Sequence, residues 1–210
     1  MVTLNHWSLI LRHEQYDFIR LRNENGIKGL ELVSPNEPQR AAEIFHRDGF
    51  VAVRDALDTS LLERLTRAAN TAILQLMEDD RDCSAGGGGD IAMPGAIEYQ
   101  GLNSDNMWSE LPDPVGTVTM RDVPVPVLTI NFPLIDLTYE NGPIWQMLGS
   151  QWSRSPMPNL AKEPDWMKLS NVCPAPAGTA IFRDIRAWHG GTPSLSRDLR
   201  AMPNIEYYAP

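Results

Sequence analysis

Only 2 of the 210 residues are cysteine and only 4 are histidine. Two cysteines, Cys83 and Cys173, are too few to define a disulfide framework. Long apolar runs are missing too. None approaches the roughly 20 residues that a bilayer-spanning helix needs, so no membrane span is expected. The opening MVTLNHWSLILRHEQYDF breaks its apolar patch at His6, Arg12 and His13, without the basic start or small-residue cleavage site of a secretion signal. The closing EYYAP is not a peroxisomal address. The cytoplasm is the expected compartment. Positive charge is also in deficit: 18 Lys and Arg stand against 27 Asp and Glu, a net charge of −9. A surface that must neutralise phosphate needs the opposite sign, so neither nucleic acid nor an anionic membrane is the expected partner. A small-molecule substrate is expected instead, with homo- or hetero-oligomers left open.

A hydrophobic content of 42 % with 21 % charged residues is enough for a packed core. The length suits one domain, taken as residues 36–210, with residues 1–35 as an N-terminal arm or strand pair. In NEPQRAAEIFHRDG, Asn36 can cap a helix, Pro38 suits its first turn, Gln39 gives a capping-box variant and Gly49 can end it. FVAVRDAL (50–57) then reads as a strand. Ser60 and Glu63 form a second capping-box pair. Behind them Leu62, Leu65, Ala69, Ile73 and Leu76 recur at helical spacing to about Glu78, a stripe that reads as core packing. DRDCSAGGGGD (80–90) is a break. Its four glycines lack the Gly-Lys-Ser/Thr of a phosphate loop, so a flexible loop is expected. Beyond it prolines are frequent and short β-branched runs alternate with turns: TVTM, VPVPVLTINFPLIDLTY, GTAIFRDI and MPNIEYY. Helices followed by many short strands predict a mainly β sandwich or barrel with a helical layer against it.

Chemistry is concentrated in few places. WHGGTPSLSRDLR joins His189 to two glycines and places Arg200 eleven residues on. A His-Gly-Gly turn after a strand over IFRDIRAWH projects an imidazole into a cavity while the chain turns away. The plain alternative is a hydrogen-bonded structural histidine. His46 and Asp48, two apart at a helix end, point to different sides and are rejected as a metal pair. In PGAIEYQGLNSDNMW, an extended Gln100–Asp105 segment sends Asn103 and Asp105 to one side. A histidine at 103 would make that pair two legs of the two-histidine-one-carboxylate triad that holds non-haem iron(II), with His189 the third. Met120 and Asp122 have similar spacing but no supporting polar residue upstream.

Taken in order, FHRDGFVAVRDALD, YQGLNSD, LIDLTYENGPIWQMLGSQ and PAGTAIFRDIRAWHGGTPSLSRDLR resemble the phytanoyl-CoA dioxygenase-like branch of the iron(II)- and 2-oxoglutarate-dependent oxygenases, over roughly residues 40–210. The resemblance implies a double-stranded β-helix, a jelly-roll relative of the cupins. It implies iron at Asp105, His189 and the position of Asn103, and catalysis centred on Asp105 and His189. It also implies that Arg200 grips the distal carboxylate of 2-oxoglutarate, a role that suits a planar guanidinium fork. Thr192 is placed to add a hydroxyl to that carboxylate, and Gln100 sits where related enzymes often contact the cosubstrate. The plain alternative for Arg200 is a surface salt bridge with Asp198 or another acid. Trp108, Trp145, Trp152 and Trp188 are candidates for shaping the pocket, or ordinary core aromatics.

The chain departs from the pattern at Asn103, whose amide oxygen is a poorer donor to iron(II) than imidazole. Gln151 replaces a frequent histidine, and the segment before residue 90 is short. Three readings follow: an oxygenase with a weakened iron site; a non-catalytic relative acting as partner subunit or binding module; and an altered or incomplete version of an active enzyme. A metal-independent lyase or isomerase in the same barrel is a further possibility. The acidic charge makes a coenzyme A thioester a less attractive substrate than a neutral small molecule or an amino-acid derivative.

Overall fold

A computed structural model describes residues 31–78, 89–105, 125, 127–153, 156–163 and 174–208. Along the chain run β1 (Leu32–Val33), α1 (Pro38–Asp48), β2 (Phe50–Val53), α2 (Thr59–Glu78), β3 (Gly89–Ala92) and β4 (Val127–Asn131). Then come β5 (Ile144–Gln146), a 3-10 turn (Ser150–Trp152), β6 (Ala180–Asp184), β7 (His189–Gly191) and β8 (Arg200–Tyr208). Cys83, Cys173, Trp108, Met120, Asp122, TVTM and the first three glycines of the four-glycine run lie outside the described residues.

Six strands form one sheet in the order β1-β2-β6-β4-β8-β3, and β5 pairs with β7 in a second. All ladders are antiparallel except β1 on β2. Strand alternation sorts the residues of the large sheet. Ala52, Ile181 and Met202 turn inward and pack with Ile144 of the small sheet, Leu137 and Ala175. Val51 and Phe182, one residue away, turn outward onto Ile44, Ala41 and Phe45 of α1. Ala201 meets Ile73, Leu65 and Ala69 of α2 in the same way. Each fully buried aliphatic side chain contributes about 1.5–3 kcal/mol. Two facing sheets with helices on the outer face make the double-stranded β-helix with its helical layer.

Local signals explain most of the helix ends and correct two of them. Pro38 starts α1, and Gly49 ends it in the left-handed region (φ 82°), with its N–H on Phe45 O at 2.8 Å. Asn36 does not cap: Glu37 holds that position without a side-chain cap bond, and Ser34 closes the turn ahead of it through Asn36 N–H on Ser34 Oγ. Nor does Ser60 cap α2. Asp58 accepts Leu61 N–H at 2.8 Å, so the helix begins at Thr59 and Ser60 is already inside it. The strand expected over 50–57 stops at Val53. The break expected over 80–90 ends sooner, because Gly89 and Asp90 open β3 beside β8. Among the described residues, no helix is long and apolar enough to cross a membrane.

Candidate functional site

Strand β7 is bonded along both edges. On one side Trp145 faces Gly190 and Gln146 faces His189. On the other lies the extended 100–105 segment: Gln100 N–H donates to Gly191 O (3.0 Å), Asn103 and His189 exchange both backbone bonds (2.8 and 2.9 Å), and Asp105 N–H donates to Ile185 O (3.0 Å). The two glycines are extended strand, and the turn expected at them lies earlier, over 185–187. Their bareness serves close approach: a Cβ at Gly190 would sit 2.5 Å from Trp145 Nε1 and 2.7 Å from Gln100 O. The single strand expected over IFRDIRAWH is broken after Asp184, whose carboxylate accepts Arg186 N–H at 2.9 Å and closes that turn.

The packing of β7 against the 100–105 segment brings His189 to Asp105. His189 is buried, and its Nδ1 lies 3.0 Å from Ala187 O. A carbonyl only accepts, so Nδ1 carries the hydrogen and Nε2 is the atom turned to Asp105, with Oδ1 at 3.4 Å. The other carboxylate oxygen, Oδ2, accepts from Arg183 Nη2 at 2.5 Å. Burial pushes the Asp105 carboxyl up. The neighbouring His189 and then the Arg183 charge outweigh it, so Asp105 sits below the usual aspartate range. Asn103 donates Nδ2 to His189 O at 3.0 Å, which fixes the amide orientation and leaves Oδ1 as its free donor atom.

Arg200 comes to the same place from the large sheet. It shares the inward face of β8 with Met202 and Asn204 and is only 3 % exposed. A surface salt bridge with Asp198 is therefore not its role. Nη2 donates to Gly142 O (2.7 Å) and Nη1 to Asp90 O (3.3 Å), while Nε is buried without a partner. Among the described residues no carboxylate is bonded to it. Burial lowers its pKa, and the Asp90 charge opposes that shift. Asn103, Asp105, Arg183, His189, Arg200 and Gln100 all line one cavity of about 600 Å³, within the range of small-molecule sites.

The remaining expectations divide. Gln100 lines the cavity, but its Oε1 accepts Gly191 N–H at 2.9 Å, so its amide NH2 is the end left for a ligand. Thr192 is not among the lining residues, and its hydroxyl donates to Pro143 O. Gln151 is buried and donates to His46 O. Trp145 stacks on Tyr99 and donates to Gln100 O. Trp152 donates to His46 O, and Trp188 is buried beside Ser150; neither these two nor Trp145 lines the cavity. Asp48 is taken by Arg47, away from the cavity. Sequence reasoning missed Arg183. Its signal was a charge two residues after Ile181 in the strand AIFRD, hence on the inward face.

The donor set fits a divalent metal through two side chains. His189 presents Nε2 with Nδ1 locked by a carbonyl, as metal-binding histidines do, and Asp105 presents Oδ1 beside it. Among the described residues no three His, Cys, Asp or Glu side chains gather, so the third donor on this wall is the weaker amide of Asn103.

No family model matches the sequence, and no curated protein does. Solved structures match the fold. AviO1 from Streptomyces viridochromogenes Tue57 is 16 % identical with a TM-score of 0.60, over 82 % of this chain and 95 % of that one. EctD from S. alaskensis, solved with 2-oxoglutarate and 5-hydroxyectoine, is 14 % identical with a TM-score of 0.60, over 81 % and 75 %. The non-heme alpha-ketoglutarate-dependent epimerase SnoN from nogalamycin biosynthesis is 16 % identical with a TM-score of 0.58, over 83 % and 81 %. At such identities the likeness carries the fold alone: the chain shares the double-stranded β-helix of these proteins.

Proposed function

We propose that this chain is a phytanoyl-CoA dioxygenase-like member of the iron(II)- and 2-oxoglutarate-dependent oxygenases, acting on a small organic substrate in the cytoplasm through a weakened metal site. The observation that carries the reading is the shared cavity. An imidazole Nε2 and a carboxylate Oδ1 stand 3.4 Å apart on one wall, and another wall holds a buried guanidinium to which no described carboxylate is bonded.

In this reading His189 and Asp105 hold the metal, and Asn103 Oδ1 adds a weak third contact. Arg200 receives the distal carboxylate of 2-oxoglutarate: each Nη gives one hydrogen to a backbone carbonyl and keeps one for the acid. The buried cation then gains a bonded carboxylate, which no described residue supplies. Gln100 offers its NH2 from the 100–105 segment, and Thr192 a hydroxyl that is already half committed. Bound iron(II), with the keto acid and oxygen, supplies the oxidation of a substrate C–H bond, leaving succinate and carbon dioxide. The chain's own work is to hold the acid by its far end, to fix the imidazole tautomer through Ala187 O, and to keep Asp105 ionised.

Aerobic incubation with iron(II) and 2-oxoglutarate tests the proposal. Succinate that disappears with a chelator and in Arg200→Met supports it. Absence of succinate together with absence of 2-oxoglutarate binding overturns it. The Arg183–Asp105 pair, beside an amide where imidazole is expected, favours a second reading: a non-catalytic relative that keeps the acid pocket as a binding module. Calorimetric binding of 2-oxoglutarate without any turnover, unchanged by iron(II), selects that one.

A further inference from the structure

Asp90, Asp105, Glu206, Arg183, Arg200 and His189 are the acidic and basic residues described along the cavity wall. Three carboxylates thus face two guanidiniums. A divalent metal and the dianion of 2-oxoglutarate cancel one another, and a histidine that holds the metal through Nε2 adds no charge. With both seated, the described lining keeps one negative charge. The neighbours show which acid is left over. Arg183 donates to Asp105 at 2.5 Å. Asp90 accepts from Asn131 Nδ2 at 3.3 Å, and its charge is felt by Arg200. Glu206 has no ion pair among the described residues: its Oε2 accepts the Tyr208 hydroxyl at 2.6 Å, and no described donor is bonded to Oε1.

Sheet register sets Glu206 across from the metal wall. Thr129 of β4 pairs with Arg183 on one side and with Glu206 on the other, so the three share the inward face, and Arg183 is the residue that holds Asp105. Two strand spacings put the Arg183 and Glu206 backbones roughly 10 Å apart. Arg200 starts the strand that carries Glu206, roughly 20 Å of extended chain away, so the diacid and Glu206 occupy separate ends of β8. At the Glu206 end the sheet opens to solvent. Tyr208, next along the inward face, also lines the cavity and is 70 % exposed, so its ring offers a π face there. Resting on the functional reading above, we infer that the substrate carries a cationic group, an ammonium or alkylated ammonium, seated on Glu206 and Tyr208 at the mouth of the cavity while its carbon chain runs to the metal wall. A carboxylate beside an aromatic face suits such a cation. The bound cation neutralises the charge that metal and diacid leave over. The span from Glu206 to Asp105 and His189 places the oxidised carbon several bonds from the nitrogen.

Hexylammonium, hexanol and hexanoate share one carbon chain and differ in charge at one end. Each is titrated into the full chain with manganese(II) and 2-oxoglutarate present, and binding is read by ligand-observed NMR. Hexylammonium is expected to bind about tenfold tighter than hexanol, as an exposed ion pair and a cation–π contact together allow, with hexanoate weakest. Glu206→Gln is expected to bring hexylammonium to the affinity of hexanol, and Tyr208→Leu to weaken it about threefold, both with 2-oxoglutarate affinity within about twofold. Manganese should broaden the methyl end of bound hexylammonium more than the methylene beside nitrogen. While 2-oxoglutarate still binds, four results each overturn this inference and leave the functional reading standing: hexanol or hexanoate binding as tightly as hexylammonium, undetectable hexylammonium binding, a preference for hexylammonium that survives Glu206→Gln, or the opposite broadening gradient. Absence of 2-oxoglutarate binding overturns both. Should a variant not fold by circular dichroism, the wild-type comparison of the three probes and the broadening gradient still decide.

Discussion

Arg186 and Arg200 are both almost completely enclosed, and the fold treats them in opposite ways. Arg186, in the turn between β6 and β7, closes on Asp184 with two side-chain bonds (2.9 and 2.6 Å) and lies over the Trp152 ring at 5.5 Å. Arg200, at the start of β8, has only carbonyl oxygens to bond and a cavity in front of it. A buried guanidinium with its own carboxylate is a structural clamp. One left to carbonyls at a cavity wall carries an unmet demand for an anion, and that demand is a reason to look for a ligand there.

The contrast is tested first where the effect is largest. Arg186→Met strips Asp184 of its partner inside the protein and is expected to destabilise the fold by about 3–5 kcal/mol. Thermal or urea unfolding reads this, and the folded fraction should keep its 2-oxoglutarate affinity within about threefold. Arg200→Met should do the reverse. It removes a buried cation to which no described carboxylate is bonded, so unliganded stability holds or rises, while 2-oxoglutarate affinity falls on the order of 100-fold by calorimetry, since truncating one side of a buried charge pair costs about 2–5 kcal/mol. Equal destabilisation by both variants would erase the distinction and with it the case for Arg200 as a ligand site.

Next in size is Asn103. Its backbone is bonded to His189 on both sides, so the position is already registered against the metal wall. Asn103→His swaps a weak amide oxygen for an imidazole at a site that needs no rebuilding. Manganese(II) affinity is expected to rise roughly 10- to 100-fold, the range over which metal-site partners act, and succinate production to rise with it. An unchanged affinity would mean that the side chain at 103 does not reach the ion.

What the sequence disclosed, and what it hid, follows from the range of the forces involved. Local rules worked where one residue decides: Pro38 and Gly49 bound α1, and the apolar stripe of α2 buries Ile73, with Leu65 and Ala69 packed against it. They failed where two polar residues compete for one role, as Asp58 displaced Ser60. The motif order brought Asn103, Asp105, His189 and Arg200 to one cavity, because β7 lies against the 100–105 segment and β8 faces them from the large sheet. Arg183 stayed hidden because its partner is 78 positions away, and nothing local distinguishes an inward arginine from an edge one. The glycines after His189 were seen as a turn signal, yet what demands them is the indole of Trp145, a contact only the paired strands create.

The smallest effect is expected at Thr192, and it separates a residue beside the site from a residue in it. Thr192 follows β7 directly, so chain position alone would make it a partner for the acid on Arg200. Its hydroxyl instead donates to Pro143 O, next to Gly142, whose carbonyl receives Arg200 Nη2. Thr192→Val removes that bond with little change of shape. Stability is expected to fall by about 1 kcal/mol, the usual worth of one intramolecular hydrogen bond, with 2-oxoglutarate affinity within about twofold. A tenfold loss of acid affinity at unchanged stability would show that the hydroxyl turns from Pro143 to the ligand on binding, and Thr192 would then belong with Arg200 rather than with the scaffold that holds it.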